Sequence, residues 1–83
     1  MKFAVGKSYL GVADGKVFNN ITFKCIKISE KKITFKIIGR WADSTRRFQS
    51  TVPIIERKEF HWKQKAYVNK IGLLVDSDLE AVF

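Results

Sequence analysis

The sequence predicts an all-β domain of five to seven short antiparallel strands, and three observations carry that reading. Through residues 21–38, ITFKCIKISEKKITFKII, apolar and polar side chains alternate with the period of two that sends neighbours to opposite faces of a strand. Turn-forming pairs separate such runs, at Asp14-Gly15, Asn19-Asn20 and Asn69-Lys70. Before the last eight residues, no stretch carries the spacing of an amphipathic helix.

Taken in order, residues 8–13, SYLGVA, begin the sheet, and Asp14-Gly15 supplies a turn whose positive φ angles suit those two residues. Residues 16–18 return from it and end at Asn19-Asn20, either as a tight hairpin or as a curled loop feeding the next strand. In the central segment the turn Ser29-Glu30-Lys31-Lys32 joins two strands. The first of them slips in phase: Ile21, Phe23 and Cys25 share one face, whereas Ile26 and Ile28 fall on the other. A slip of one residue turns core positions outward unless an extra residue is absorbed, so a bulge or sharp bend is expected near residues 25–27. Such a bend releases Lys24 and Lys27 from having to share one continuous surface.

The second strand keeps phase through Ile33, Phe35 and Ile37, and Gly39 allows a turn or a kink. Arg40-Trp41-Ala42-Asp43-Ser44 reads as a connection and residues 45–52 as a third long strand, with Phe48 the only large apolar side chain inside it. Pro53 cannot donate a ladder hydrogen bond and belongs at a strand end or edge. Residues 54–58 form an exposed passage. Residues 59–63 alternate again with Phe60 and Trp62 on one side, read as core in preference to the alternative, a stacking platform at His61-Trp62-Lys63. Residues 66–68 and 71–75 are two further short strands around the Asn69-Lys70 turn. The last residues, 76–83, hold a capping-box pair in Ser77 and Glu80 and form either a single helical turn or an edge strand.

A chain of 83 residues makes one domain, spanning residues 1–83, with a thin core. At 46% apolar residues it lies outside the low-hydrophobicity range of disordered chains. The charge is the strongest compositional signal. The net charge is +8, and all sixteen bases lie in residues 1–70 beside only five of the eight acids. A field of that sign attracts polyanions, which makes DNA or RNA the first partner to consider. A single cysteine excludes an internal disulfide and suits a reducing compartment. With neither a secretory core nor a long apolar run, the expected location is the cytoplasm, away from membranes.

Nothing in the sequence assembles a catalytic or metal site. His61 and Cys25 are the only residues of their kinds, too few for the four-ligand pattern of structural zinc. Cys25 reads as a small buried hydrophobe. A Cys25–His61 nucleophile and base would need an orienting third group that the sequence does not signal. Asp14, Glu30 and Asp43 fall in turns, and Glu56 and Glu59 flank Arg57 and Lys58. We therefore expect no enzyme, cofactor or small-molecule substrate. Lys24, Lys36, Arg46 and Arg47 lie on adjacent predicted strands and form the candidate nucleic-acid surface, with Trp41 in the connection as a stacking contact. The alternative is a protein-interaction module that takes a peptide or partner at a sheet edge or aromatic groove.

The segment Phe23-Lys24-Cys25-Ile26-Lys27-Ile28-Ser29-Glu30-Lys31-Lys32-Ile33-Thr34-Phe35 resembles a hairpin found in small proteins encoded on conjugative transposons and prophages of Gram-positive bacteria. There an aromatic and two aliphatics lead into an Arg-Thr-x-Lys turn and an aliphatic-Thr strand, followed by a strand with an Arg pair. Ser29 and Lys31 answer to the Thr and Lys, Ile33-Thr34 to the strand entry, and Arg46-Arg47 to the basic pair, while Ile28 stands where that family has arginine. The resemblance implies a small SH3-like barrel or roll in a mobile-element setting and brings no catalytic residues. An OB-like barrel is the second choice of architecture. The combined expectation is a non-catalytic accessory protein of a mobile element that binds nucleic acid through a basic sheet surface.

Overall fold

A computed structural model describes residues 2–41 and 44–81, for Trp41 its backbone alone. The described chain is all-β. Its strands are β1 (Ser8–Ala13), β2 (Lys16–Ser29), β3 (Lys32–Trp41), β4 (Ser44–Pro53), β5 (Ile55–Glu56), β6 (Gln64–Val68) and β7 (Leu73–Glu80), with one 3-10 turn at Lys58–Phe60. They form a single antiparallel sheet in the order β4-β3-β2-β1-β7-β6-β5, curled into a half-barrel.

The curl is concentrated at two irregularities. Around Leu10, Tyr9 pairs with Phe23 but Gly11 with Phe18, and on the other flank Tyr9 pairs with Glu80 but Gly11 with Val75. Leu10 alone therefore faces residues 19–22 on one side and 76–79 on the other, and β2 bends there into two limbs. The short limb closes a hairpin on β1, with Ala13 opposite Lys16 and positive φ at Asp14 and Gly15, so the hairpin reading of residues 14–18 holds and Asn19-Asn20 belong to the strand.

The second irregularity is the bulge expected near residues 25–27. Cys25 pairs with Phe35 and Lys27 with Thr34, leaving Ile26 as the extra residue. Its effect on the lysines is the reverse of the expectation. By absorbing one residue it returns Ile28 to the face of its buried partner Ile33 and keeps Lys24 and Lys27 together on the exposed face.

The inner face carries the core: Tyr9, Ile21, Phe23, Cys25, Ile33, Phe35, Ile37, Val52, Ala66, Val68, Leu73 and Val75, closed at one end by Phe3. Phe3 meets Tyr9 and Phe35 edge-on, with centroids 4.9 and 5.5 Å apart, and Phe35 meets Phe23 at 5.8 Å. Such edge-to-face pairs suit the ring quadrupole. The N-terminal segment is tied down by polar bonds as well: the Phe3 N–H donates to Gln64 Oε1 and the Ala4 N–H to the Tyr9 hydroxyl oxygen, each at 2.8 Å.

Three expectations are corrected. First, β7 runs through Glu80 between β1 and β6, so no helical turn forms at Ser77–Glu80 and the strand is interior. An interior strand gains ladder hydrogen bonds on both sides, which an eight-residue helix could not match. Second, β3 extends through Trp41 and β4 begins at Ser44, so Trp41 ends a strand; Ala42 and Asp43 lie outside the described residues. Third, residues 59–63 form no strand. The 3-10 turn ends in a reversal closed by Trp62 N–H to Arg57 C=O at 3.0 Å and His61 N–H to Lys58 C=O at 2.9 Å, with His61 and Trp62 both at positive φ. This pair of bonds is the Schellman pattern, and it leaves Trp62 63% exposed instead of in the core.

Candidate nucleic-acid interface

The strands β2, β3 and β4 hold eight cations and no acidic residue. Their registers decide which of those cations meet. Lys24 pairs with Lys36 and Lys36 with Gln49; one step along, Thr22 pairs with Ile38 and Ile38 with Arg47. Since residues directly opposite share a face, Lys24, Lys36 and Arg47 stand on the same outer surface. The same parity adds Lys27, Lys32 and Arg40, all exposed. Directly opposite residues are separated by roughly 4.5 to 5.5 Å between Cα atoms, so Lys24 and Lys36 form one local concentration of charge. Between the cations the surface is polar apart from Ile38: the Thr34 and Thr51 hydroxyls share a hydrogen bond of 2.8 Å.

Of the four cations expected on this surface, Lys24, Lys36 and Arg47 are brought together and Arg46 is not. Arg46 pairs with Gly39, in phase with Phe48 and the buried Val52, so it lies on the opposite face of β4. Adjacent strand residues cannot both face one way. There Arg46 joins a cleft between β4 and the turn at residues 69–72, lined by Arg46, Arg47, Phe48, Lys70 and Ile71, with a volume of about 480 Å³. The Lys70 ammonium lies over the Phe48 ring, 4.9 Å from its centroid. The backbone of Trp41 ends β3 opposite Ser44, and its side chain lies outside the described residues, as does its expected stacking role.

The acids of β7 are placed elsewhere and carry their own counter-charges, while Glu30 lies in the turn between β2 and β3. On β7, Asp76 pairs with Lys65 at 3.4 Å, Asp78 with Lys63, and Glu80 with Lys7 at 3.6 Å. The hydrogen bond from Lys63 holds the Asp78 carboxyl below its ordinary range, and Asp78 in turn raises the Lys63 ammonium. The C-terminal acids therefore compensate bases on β1's flank and β6, while the β2–β4 face keeps its positive sign.

Cys25 is fully buried and its thiol is pushed up by burial, whereas His61 is exposed on the turn. Among the described residues, no cluster of three or more His, Cys, Asp or Glu side chains is arranged to hold a metal. No helix among them is long and apolar enough to cross a membrane.

Lys27, Lys32 and Arg40 were within reach of sequence reasoning, because continuing the period of two from Lys36 reaches Lys32 and Arg40. Lys27 needed the bulge to be placed. Lys70 and the exposed Trp62 had no such signal, since the first depends on how the sheet curls and the second on a turn that alternation imitates. Compared with protein-family models, with curated proteins and with solved structures, the chain has no match.

Proposed function

We propose that this protein binds nucleic acid through the outer face of β2, β3 and β4, neutralising backbone phosphates without catalysis. The observation that carries the reading is the gathering of Lys24, Lys27, Lys32, Lys36, Arg40 and Arg47 on one exposed face, in strands free of acids. Phosphate contacts of this kind position a strand without reading its sequence. If roughly four to six of these side chains engage, log affinity falls with log salt with a slope of about 3 to 5. Titrating labelled single- and double-stranded oligonucleotides at low and moderate salt tests this. Absence of binding at low ionic strength would overturn it.

The SH3-like form of the barrel and the mobile-element setting belong to the same proposal. Both rest on the hairpin residues 23–35, and the bent β2, paired with β1 on one flank and β3 on the other, supports the barrel form. A cytoplasmic location rests on the single cysteine and agrees with a nucleic-acid partner.

A second reading is supported by one observation: β4 is a ten-residue strand at the end of the sheet, a length at which a peptide can add as a further strand. A stoichiometric protein partner recovered after nuclease treatment, coupled to protection of the β4 amides, would favour it.

A further inference from the structure

The cationic face has a gap in its chemistry. Among the described residues its outward side chains are Lys, Arg, Thr, Gln, Ser29, Ile38 and Pro53, with no aromatic on which a base could stack. It can hold phosphates but offers bases no aromatic platform. The aromatic surface begins where the face ends, at the seam of the half-barrel.

We propose that the cleft between β4 and the turn at residues 69–72 receives an unstacked base of a single-stranded nucleic acid whose phosphates lie on the β2–β4 face. The inference rests on the nucleic-acid reading above and narrows it to single strands. Three features carry it. Arg47 belongs to both surfaces, standing on the outer face opposite Ile38 and lining the cleft, so a backbone crossing the sheet passes from one into the other without leaving positive charge. The cleft, at about 480 Å³, combines an apolar floor of Phe48 and Ile71 with cationic walls, and among the described residues none that lines it is acidic. That size falls within the roughly 300–1,000 Å³ typical of small-ligand sites.

The third feature is the Phe48 ring itself. It is partly buried, and Lys70, an exposed residue, places its ammonium over the ring. A base sliding onto the ring displaces a cation from an exposed cation–π contact, and stacking is the stronger of the two interactions. The displaced ammonium then lies beside the phosphate of the nucleotide that displaced it. A duplex cannot use this site, because its bases are already stacked inside the helix. Trp62 is the competing platform, exposed and large, and flanked in the chain by Glu56 and Glu59 as well as by Arg57, Lys58 and Lys63.

The test follows amide chemical shifts by NMR while a nucleoside monophosphate is titrated, and compares the affinities of one oligonucleotide as a single strand and as a duplex. Saturable shifts are expected at Arg47, Phe48, Lys70 and Ile71. Phe48→Leu keeps an apolar side chain in the core and removes the ring, and should lower single-strand affinity about tenfold while leaving duplex affinity nearly unchanged. Lys70→Glu, at an exposed position, should lower the single-strand preference without touching the core. Shifts centred on His61 and Trp62, or an unchanged preference in both variants, would overturn the cleft and leave binding on the β2–β4 face standing. No binding of any oligonucleotide would overturn both.

Discussion

Lys24 on β2 stands directly opposite Lys36 on β3, two like charges paired across strands that contain no acid. Directly opposed like charges destabilise a sheet by roughly 0.2 to 1 kcal/mol relative to neutral pairs. Stability alone gives no reason for such a pair, whereas the proposed phosphate binding would.

Replacing one member separates the two demands. Lys36→Glu creates an opposite-charge pair with Lys24 and should raise unfolding free energy by a few tenths to about 1 kcal/mol. The same change should weaken oligonucleotide binding and lower the salt slope by about 1 for the lost contact, with a further loss from the introduced negative charge. Urea denaturation and salt-dependent titration on the same preparation measure both. A variant that is more stable and binds equally well would remove this face from the binding surface.

Gly11 lies where the half-barrel has little room for added volume. A Cβ there would lie 3.0 Å from the Leu73 Cβ and 3.1 Å from the Phe23 ring. The Leu73 Cβ is fixed to its backbone, and Leu73 sits on the strand β7 that pairs with β1 beside Gly11. Gly11→Ala should therefore destabilise by about 1 to 3 kcal/mol, the usual range for overpacking, read as a lower urea midpoint with an unchanged slope.

How much of this was legible in the sequence depends on whether the determining contact was local. The alternation of residues 21–38 and the phase slip at Cys25-Ile26 are local facts, and they yielded the hairpin and its bulge. Which way the bulge would place Lys27 was not local, because it depends on the cross-strand partner Thr34. Arg46 and Arg47, adjacent in sequence, read as one basic pair, and strand geometry separates them onto opposite faces of β4. The tail differs for another reason: Ser77 and Glu80 have capping-box spacing, but β7 continues through them, paired with β6 up to Asp76 and with β1 again at Glu80. The seam that joins Phe48 to Lys70 is a product of overall curl, which no short window of sequence specifies.

The Asp78–Lys63 pair predicts an acid limb in the stability profile. The folded-state carboxyl titrates below its ordinary value of 3.8, chiefly through the hydrogen bond with Lys63. Its stabilising contribution is therefore fully present above that ordinary value and is lost as pH falls through the lower folded value. Asp78→Asn removes the contribution, so the difference in stability between variant and parent should shrink as the solution is acidified below that range. A constant difference down the acid limb would show that the pair contributes nothing through its charge.

Cys25 offers a reporter of opening. It is fully buried, burial lifts its thiol above the ordinary 9.0, and its backbone is bonded to Gly6 and Lys7 of the N-terminal segment. The thiolate is the reactive form, so alkylation of the native protein should be slow and should accelerate with urea in parallel with unfolding. Rapid labelling without denaturant would mean that residues 2–7 detach from the sheet far more readily than their packing implies.

The turn at His61 and Trp62 separates two accounts of the same residues by a wide margin. Were Trp62 in the core, as alternation suggests, truncating it to alanine would cost about 3 to 5 kcal/mol. At 63% exposure it should change stability by no more than about 0.5 kcal/mol. His61 occupies the left-handed position of the reversal with φ of 53°, the place where glycine is preferred because it lacks the Cβ that crowds the following carbonyl. His61→Gly should therefore stabilise by up to about 1 kcal/mol, less whatever glycine adds to the freedom of the unfolded chain. Thermal or urea unfolding of the two variants decides the matter. A large loss in Trp62→Ala together with a loss in His61→Gly would place the tryptophan against the core and the turn in a different conformation.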